Sequence, residues 1–365
     1  MKSHSFDRSI FFLTILLVVV GFFVFTSASL GLLSRVDGAH FARTAFTQAF
    51  LGIGLGFVGL LTAINIRYRF WRKYALLIFI AALIATSLVF VPGLGFSSGG
   101  ATRWIHIGPL SWQPAEFLKL AFVIYLAAWL SGARGKVQHF RSSIIPFLLI
   151  TAFTGTLLLL EPDTGTFMVI VTAGLAMLIA AGVRWRDIAI LVCVVLIGLA
   201  GLAATRPYIK DRIVTFIDPM HDPQGSSYQL QQSLIAVGSG GLLGRGFGLS
   251  VQKFSYLPEP SGDSIFAVAA EEFGFLGSIT LVGLFLLLGL QGLKVAARAP
   301  DTFGGLLAVG IVILIVSQSF INIASMVGVL PLTGLPMLFI SHGGTAMLFG
   351  LFEIGILLNI SKYRA

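Results

Sequence analysis

The sequence predicts an all-α polytopic membrane protein with ten transmembrane helices. Three observations carry that prediction. Of the 365 residues, 56% are hydrophobic and only 11% are charged, whereas about a quarter of residues are charged in a soluble domain. Asp, Glu, Lys and Arg are absent from residues 9–34, 44–66, 74–102, 142–160, 164–183, 188–205, 273–293 and 302–352, and a spanning helix needs roughly 20 predominantly apolar residues. The carboxylates are also unevenly placed. Seven of the 15 acids fall between Tyr208 and Glu272, and bare charge near lipid is expensive.

Taken in order, residues 9–34 form the first span. Their uncharged stretch is too long for a cleaved signal peptide and leads to no soluble domain through a small-residue cleavage site, so the helix is expected to stay. Residues 44–66 and 74–102 hold the second and third. The fourth, about 114–132, carries Glu116 and Lys119 near its start. Residues 142–160, 164–183 and 188–205 hold the fifth to seventh. The eighth begins beyond Asp263 and runs through 273–293. Residues 302–352 are long enough for two spans, divided where Pro331, Gly334 and Pro336 break the helix.

Cation placement sets the orientation. With the N-terminus inside, 15 of the 24 Lys and Arg are cytoplasmic: Lys2, Arg8, Arg67, Arg69, Arg72, Lys73, Arg134, Lys136, Arg141, Arg184, Arg186, Lys294, Arg298, Lys362 and Arg364. The short outer loops hold Arg35, Arg43 and Arg103. Both termini are therefore expected in the cytoplasm. The net charge of +9 reflects topology, and its scatter over short loops and tails argues against nucleic-acid binding.

Most connections are short. One, about 205–264, is a large extracytoplasmic loop between the seventh and eighth helices, and loops beyond about 15 residues are usually functional or disordered. It holds amphipathic stretches at Ile213 to Phe216 and Tyr228 to Val237, and a glycine run from Gly238 to Gly248. That run is either a tight turn against the membrane or a cradle of amides for an anion. A second outer loop, about 93–113, holds Arg103, Trp104, His106 and Trp112. The chain shows no separate soluble domain and reads as one unit over 1–365.

Several groups could carry chemistry. Glu116 and Lys119 share a helix face; they neutralise each other, or face a cavity with Lys119 offered to a phosphate. Asp163, in Glu161-Pro-Asp-Thr-Gly-Thr166, either caps the sixth helix or contacts a cation or sugar. Asp263 stands where the loop becomes the eighth helix, as a cap or as a functional acid. Glu271 and Glu272 are adjacent, so at least one must face a polar interior. Arg103, Arg206, Arg212, Arg245 and Lys253 are outer cations, solvated or anion-binding. His342 and Cys193 read as packing residues. No cluster has zinc spacing.

These segments together resemble the SEDS family (shape, elongation, division and sporulation), and the resemblance covers nearly the whole chain. Its marks are Gly100 to Leu120, Glu161 to Thr166, Tyr228 to Ala236, Gln252 to Glu259, Ala270 to Gly277, and Asn322 to Thr345 with Leu330-Pro-Leu-Thr-Gly334 and Ser341-His-Gly-Gly-Thr345. The Glu-Pro-Asp opening at 161 and the Tyr228-Gln stretch are more similar to the division branch, FtsW, than to the elongation branch, RodA. The chain departs from the family around Asp263, where Ser261-Gly precedes the acid in place of His-Thr, and at His342, where the family has Tyr.

The resemblance implies a peptidoglycan glycosyltransferase that polymerises lipid II at the outer face of the bacterial cytoplasmic membrane. It implies Asp263 as the catalytic residue and Glu116 and Lys119 as parts of a polar cavity, and it makes a class B penicillin-binding protein transpeptidase and other divisome membrane proteins the expected partners. The chemistry fits. An α-linked donor giving a β-1,4 product inverts once, so one carboxylate base serves and a glycosidase pair is not required. The pyrophosphate leaves well and needs positive charge nearby. Lys119, Glu116, Arg103, Arg212 and Lys253 are the expected substrate-binding residues, with a divalent cation, magnesium or manganese, left open. A lipid II flippase or an elongation polymerase is the alternative.

Overall fold

A computed structural model describes residues 5–33, 45–98, 101–107, 110–133 and 135–363. Lys2, Arg35, Arg43, Arg134 and Arg364, used above for orientation, lie outside these residues, as does Gly100 of the first motif. The long helices are α1 (Arg8–Leu33), α2 (Thr47–Asn65), α3 (Ala75–Ser87), α4 (Pro114–Gly132), α5 (Phe140–Leu160), α6 (Thr164–Ala180), α7 (Trp185–Thr205), α8 (Pro207–Ile217), α9 (Tyr228–Ser239), α10 (Ile265–Ala297), α11 (Thr302–Met326) and α12 (Gly344–Ser361). Among the described residues, eight helices are long and apolar enough to cross a membrane, and the apolar helices Ala75–Phe90 and Thr164–Ala180 are shorter. The eight and the two shorter helices all fall within expected segments. The first half of α2, Thr47–Leu55, is wound as a π-helix.

Helices α4 and α12 form the centre of the bundle and α7 lies at its edge. Without a hydrophobic force between helices in lipid, close packing is what draws them together. Gly355 shows how: a Cβ there would stand 2.6 Å from the Leu60 carbonyl oxygen, so α12 meets α2 backbone to backbone. Cys193 is exposed on α7, so its surroundings are not the packed interior that its mid-helix position suggested.

The helix ends segregate into two sets. At one end the Asp7 N–H donates to Ser361 Oγ at 2.9 Å, and the Tyr68 N–H donates to Asn359 Oδ1 at 2.8 Å. Tyr68 Oη also donates to Asp301 Oδ2 at 2.8 Å. The start of α1 and the end of α12 therefore share an end of the bundle. The opposite end collects the starts of α2, α4, α6 and α10 and the link between α11 and α12.

That link, residues 331–343, is not helical, yet most of it is buried. Non-helical backbone at membrane depth survives only where protein satisfies it. Here α11 does so along one face: Gln318 Nε2 donates to the Pro336 carbonyl at 3.0 Å, Asn322 Nδ2 to that of Leu335 at 2.7 Å, and Ser325 Oγ to that of Pro331 at 3.0 Å. From the other side Gln48 donates to the Ser341 carbonyl and accepts from the Gly343 N–H, each at 3.1 Å.

The loop about 93–113 contains a three-stranded antiparallel sheet, β1 (Gly95–Ser98), β2 (Ala101–Ile107) and β3 (Leu110–Trp112), with β2 central. The large loop is ordered by α8, α9 and the short helix Gln252–Ser255. Its glycine run closes against a break in α10, where Gly274 adopts φ 64° and ψ −161°, a region essentially reserved for glycine. The amides of Arg245 and Gly246 donate to the carbonyls of Glu271 and Glu272 at 3.0 and 2.9 Å. The run is thus a turn sealing a kink, and these two amides are taken up by backbone.

Candidate active site

Five helix starts and one buried link converge on a cavity of about 560 Å³. Arg103 and Trp104 reach it from β2, Glu116 from α4, Asp163 and Thr166 from the start of α6, Arg212 from α8, and Asp263 from the last turn before α10. Four of the expected site residues, Arg103, Glu116, Arg212 and Asp263, therefore meet there. Lys119 lies one turn deeper, and Lys253 is elsewhere.

Asp263 is half-buried. Gln229 Nε2 donates to its Oδ1 at 3.1 Å and to Ser264 Oγ at 3.0 Å. The main-chain carbonyl of Asp263 accepts from Asn322 Nδ2 at 2.6 Å. Burial raises the carboxyl pKa to about 6, with Glu259 adding to the rise and Gln229 and Arg212 opposing it. Removing water disfavours the charged form. A carboxylate in this range is a proton acceptor near neutrality and still binds a proton long enough to pass it on.

Arg212 faces it. Its Nη1 donates to the Thr333 carbonyl at 3.3 Å and to Thr164 Oγ1 at 3.4 Å. A Cβ placed on Gly334 would lie 3.8 Å from Arg212 Nη2 and 3.9 Å from Asp263 Oδ2. Acid and guanidinium thus oppose each other over a single glycine, without closing to an ion pair. Gly334 has φ +69°, so the opening depends on a residue with no side chain. Arg103 stands close enough that its charge, after burial, helps to lower the pKa of Arg212. Two like charges held together in a partly desolvated wall form a site that an anion would relieve.

Arg103 is fixed by backbone. Its Nε donates to the Glu161 carbonyl at 3.1 Å, and Nη2 donates to that of Pro162. Asp163 takes both roles open to it: it lines the cavity and caps α6, accepting from Thr166 N at 3.1 Å and Thr166 Oγ1 at 2.8 Å. Glu161 beside it is buried, and neither carboxylate oxygen has a hydrogen-bond partner. Burial and the Asp163 charge push its pKa to about 8, against the pull of Arg103.

Beneath the cavity, Lys119 Nζ lies 2.8 Å from Glu116 Oε2, both nearly inaccessible, and Lys119 also donates to Gln318 Oε1. Buried Glu353 of α12 lies near enough to feel both charges. The expected pair is present, with Glu116 at the cavity floor and Lys119 behind it. His342 stacks on Phe25 with ring centres 6.0 Å apart and also lines the cavity, so packing accounts for only part of its place.

Lys253 is not brought to this cavity. Fully buried, it holds Glu272 Oε1 at 2.7 Å and Ser27 Oγ at 2.9 Å. Glu271, equally buried, accepts from Ser250 Oγ at 2.6 Å and from the Val251 N–H at 3.1 Å, with Arg245 Nε at 3.4 Å. Both adjacent acids therefore face polar interiors and clamp residues 245–253 to α10.

Among the described residues no three His, Cys, Asp or Glu side chains gather as a metal site. The donor set does not fit a protein-held divalent cation. Sequence reasoning gave no role to Gln229, Asn322, Gln318, Gln48 or Glu259. The spacing of Gln318, Asn322 and Ser325, three polar residues on one face of an apolar helix, was the available signal.

Comparison with known proteins gives one consistent result. Residues 7–365 match the model of the FtsW/RodA/SpoVE family, described as cell cycle protein. Stage V sporulation protein E of Bacillus subtilis is 37% identical over 99% of this chain and 98% of its own. A probable peptidoglycan glycosyltransferase FtsW of Coxiella burnetii is 38% identical over 98% of this chain and 97% of its own. Among solved structures, a chain from work on the structural coordination of polymerization and crosslinking by a peptidoglycan synthase complex superposes with a TM-score of 0.80 at 26% identity, covering 98% of this chain and 97% of that one. The rod shape determining protein RodA of Thermus thermophilus gives 0.70 at 26% identity, covering 99% and 98%.

Proposed function

The chain belongs to the FtsW/RodA/SpoVE family of cell cycle proteins, and from that membership we propose that it is a peptidoglycan glycosyltransferase acting on lipid II. The reading rests on one arrangement: a half-buried carboxylate, Asp263, opposed across Gly334 to the paired guanidinium groups of Arg212 and Arg103.

In this reading the acceptor sugar hydroxyl gives its proton to Asp263 as its oxygen attacks the anomeric carbon of the donor. The bond from that carbon to the pyrophosphate breaks on the opposite face, and polyprenyl pyrophosphate leaves with the electron pair. Arg212 and Arg103 stabilise the leaving charge, and preformed cations in a partly dry wall do this without reorganising. The base supplies on the order of 10²–10⁴ in rate. Glu116 at the cavity floor accepts from sugar hydroxyls, and Lys119, 2.8 Å from its Oε2, holds it in place.

The protein is a multi-pass membrane protein. We place ten spans in one transmembrane unit over 1–365, with both termini cytoplasmic and the Asp263 cavity at the outer face. The cation count supports the orientation, and the joined ends of α1 and α12 support a shared side for the termini. A septal role with a class B penicillin-binding protein partner is supported by relatives named FtsW and by likeness to a chain of a synthase complex.

The test is polymerisation by the purified full-length protein of lipid II, read as glycan strands on a gel, with and without a cognate transpeptidase. Strands from the parent and none from Asp263→Asn support the reading. Lipid II translocation across vesicles without strand formation would replace it with a flippase.

A further inference from the structure

At the end of the bundle away from Asp263 there is a second concave surface. Helix α4 leaves the catalytic cavity at Pro114 and reaches Gly132 after a rise of about 28 Å. Beyond it, the α4–α5 and α6–α7 connections enclose about 470 Å³. Four cations line this space, Lys136, Arg141, Arg184 and Arg186, with one acid, Asp187.

The acid does not balance them. Asp187 is buried and engaged by Arg186 Nε at 3.6 Å. Among the described residues Lys136, Arg141 and Arg184 enter no ion pair, and all three are exposed. Helices α5 and α7 both begin here, and neither has a side chain accepting at its N-cap, so their leading N–H groups add positive potential.

Two exposed indoles mark the level of this surface. Trp185 is 72% exposed and Trp129 is 42% exposed, and Trp129 is fixed by donating Nε1–H to the Ser142 carbonyl at 3.0 Å. Tryptophan gathers where headgroups meet hydrocarbon. Below the rim, exposed apolar tracks run along both helices, Ile145 and Leu149 on α5 and Ile190 and Val194 on α7. A soluble anion would use the cations alone. A lipid would use the cations, the indoles and the tracks.

We propose that this cavity binds the phosphate headgroup of an anionic phospholipid in the leaflet remote from the Asp263 cavity, with its chains along α5 and α7. Basic pockets between helices at this level suit such headgroups. The assignment goes beyond the glycosyltransferase reading and does not depend on it.

Native mass spectrometry of the intact protein in detergent, titrated with cardiolipin and separately with phosphatidylethanolamine, decides the matter. The variant Lys136→Gln/Arg141→Gln/Arg184→Gln should bind cardiolipin at least about tenfold more weakly than the parent, with an unchanged melting temperature. Lys294→Gln/Arg298→Gln, exposed cations at the same end, should stay within about twofold. Equal loss in both variants would mean general surface charge, and an unchanged pocket variant would mean no site; either overturns the proposal. So does displacement of cardiolipin by glycerophosphate at a similar concentration, which would make it a free-phosphate site. If the triple variant fails to fold, Arg184→Gln alone should weaken binding about threefold, and no change would refute the assignment.

Discussion

The side-chain amide of Asn322 donates a 2.6 Å hydrogen bond to the main-chain carbonyl of Asp263. The candidate base is thereby tied to α11 as well as to its own loop. The same amide holds the Leu335 carbonyl at 2.7 Å, so one residue sets the base and the buried link opposite it. Asn322→Ala should cost about 1–3 kcal/mol by orphaning buried acceptors, and should lower kcat while leaving KM for lipid II nearly unchanged. Thermal unfolding and steady-state kinetics of the purified variant check both parts. A fall in KM alone would contradict the positioning role.

Asp263→Asn separates stability from activity. The folded protein raises this carboxyl from 3.8 to about 6, so it favours the neutral form. That contribution is complete below the unfolded-state value and is lost as pH rises through about 6. Asn is neutral at every pH. The variant should therefore melt higher than the parent at about pH 8, with the difference closing below about pH 4, while strand formation falls by a factor of at least about 10².

The pH profile of the parent follows from the same group. As a base it works when deprotonated, so kcat/KM should fall about tenfold per pH unit below about 6 and level off above. Polymerisation rates between about pH 5 and 8, with the fraction folded measured alongside, give the profile. A flat acid limb would remove Asp263 from the rate-controlling protonation.

Gly334→Ala probes the opening between acid and guanidinium. At φ +69° an L residue costs roughly 1–2 kcal/mol, and the new methyl would point into the space between Arg212 and Asp263. Polymerisation should drop more than the melting temperature shift explains, with KM for lipid II rising.

Lys253 offers the opposite case. Lys253→Met leaves Glu272 buried and unpaired, at a cost of about 3–5 kcal/mol, whereas Lys253→Met with Glu272→Gln should recover most of it. If Lys253 instead held substrate, the double variant would regain stability and still lack activity.

Much of this was legible in the sequence, because lipid imposes simple rules. Charge-free runs, with the apolar stretch around Glu116 and Lys119, located the apolar helices, and the break at Pro331, Gly334 and Pro336 was visible as proline and glycine. That the broken stretch folds inward was not. Its burial depends on Gln318, Asn322 and Ser325, whose value appears only once α11 lies beside residues 331–343. The sheet carrying Arg103 was missed for a similar reason, since three short strands in a glycine-rich loop give a weak period. Asp263, Arg103 and Glu116 were singled out through motifs and Arg212 as an outer-loop cation, and the fold brings all four to one cavity. Lys253 was not separable from them, because a loop cation and a buried ion-pair partner look alike until the fold supplies Glu272 and Ser27.

The broken link between α11 and α12 has a consequence for biosynthesis. The cavity wall includes Thr47 near one end of the chain and Ala346 near the other, and Gln48 satisfies backbone that is made nearly 300 residues later. Closing contacts this distant in sequence is slow. Until residues 331–343 are made, the α11 side chains Gln318, Asn322 and Ser325 lack the carbonyls of Pro336, Leu335 and Pro331 that they hold in the folded protein. The cavity is therefore complete only after the 331–343 segment and the start of α12 are in place, late in synthesis. A chain stopped before Gly344 would hold every candidate chemical group and still have no chamber around them.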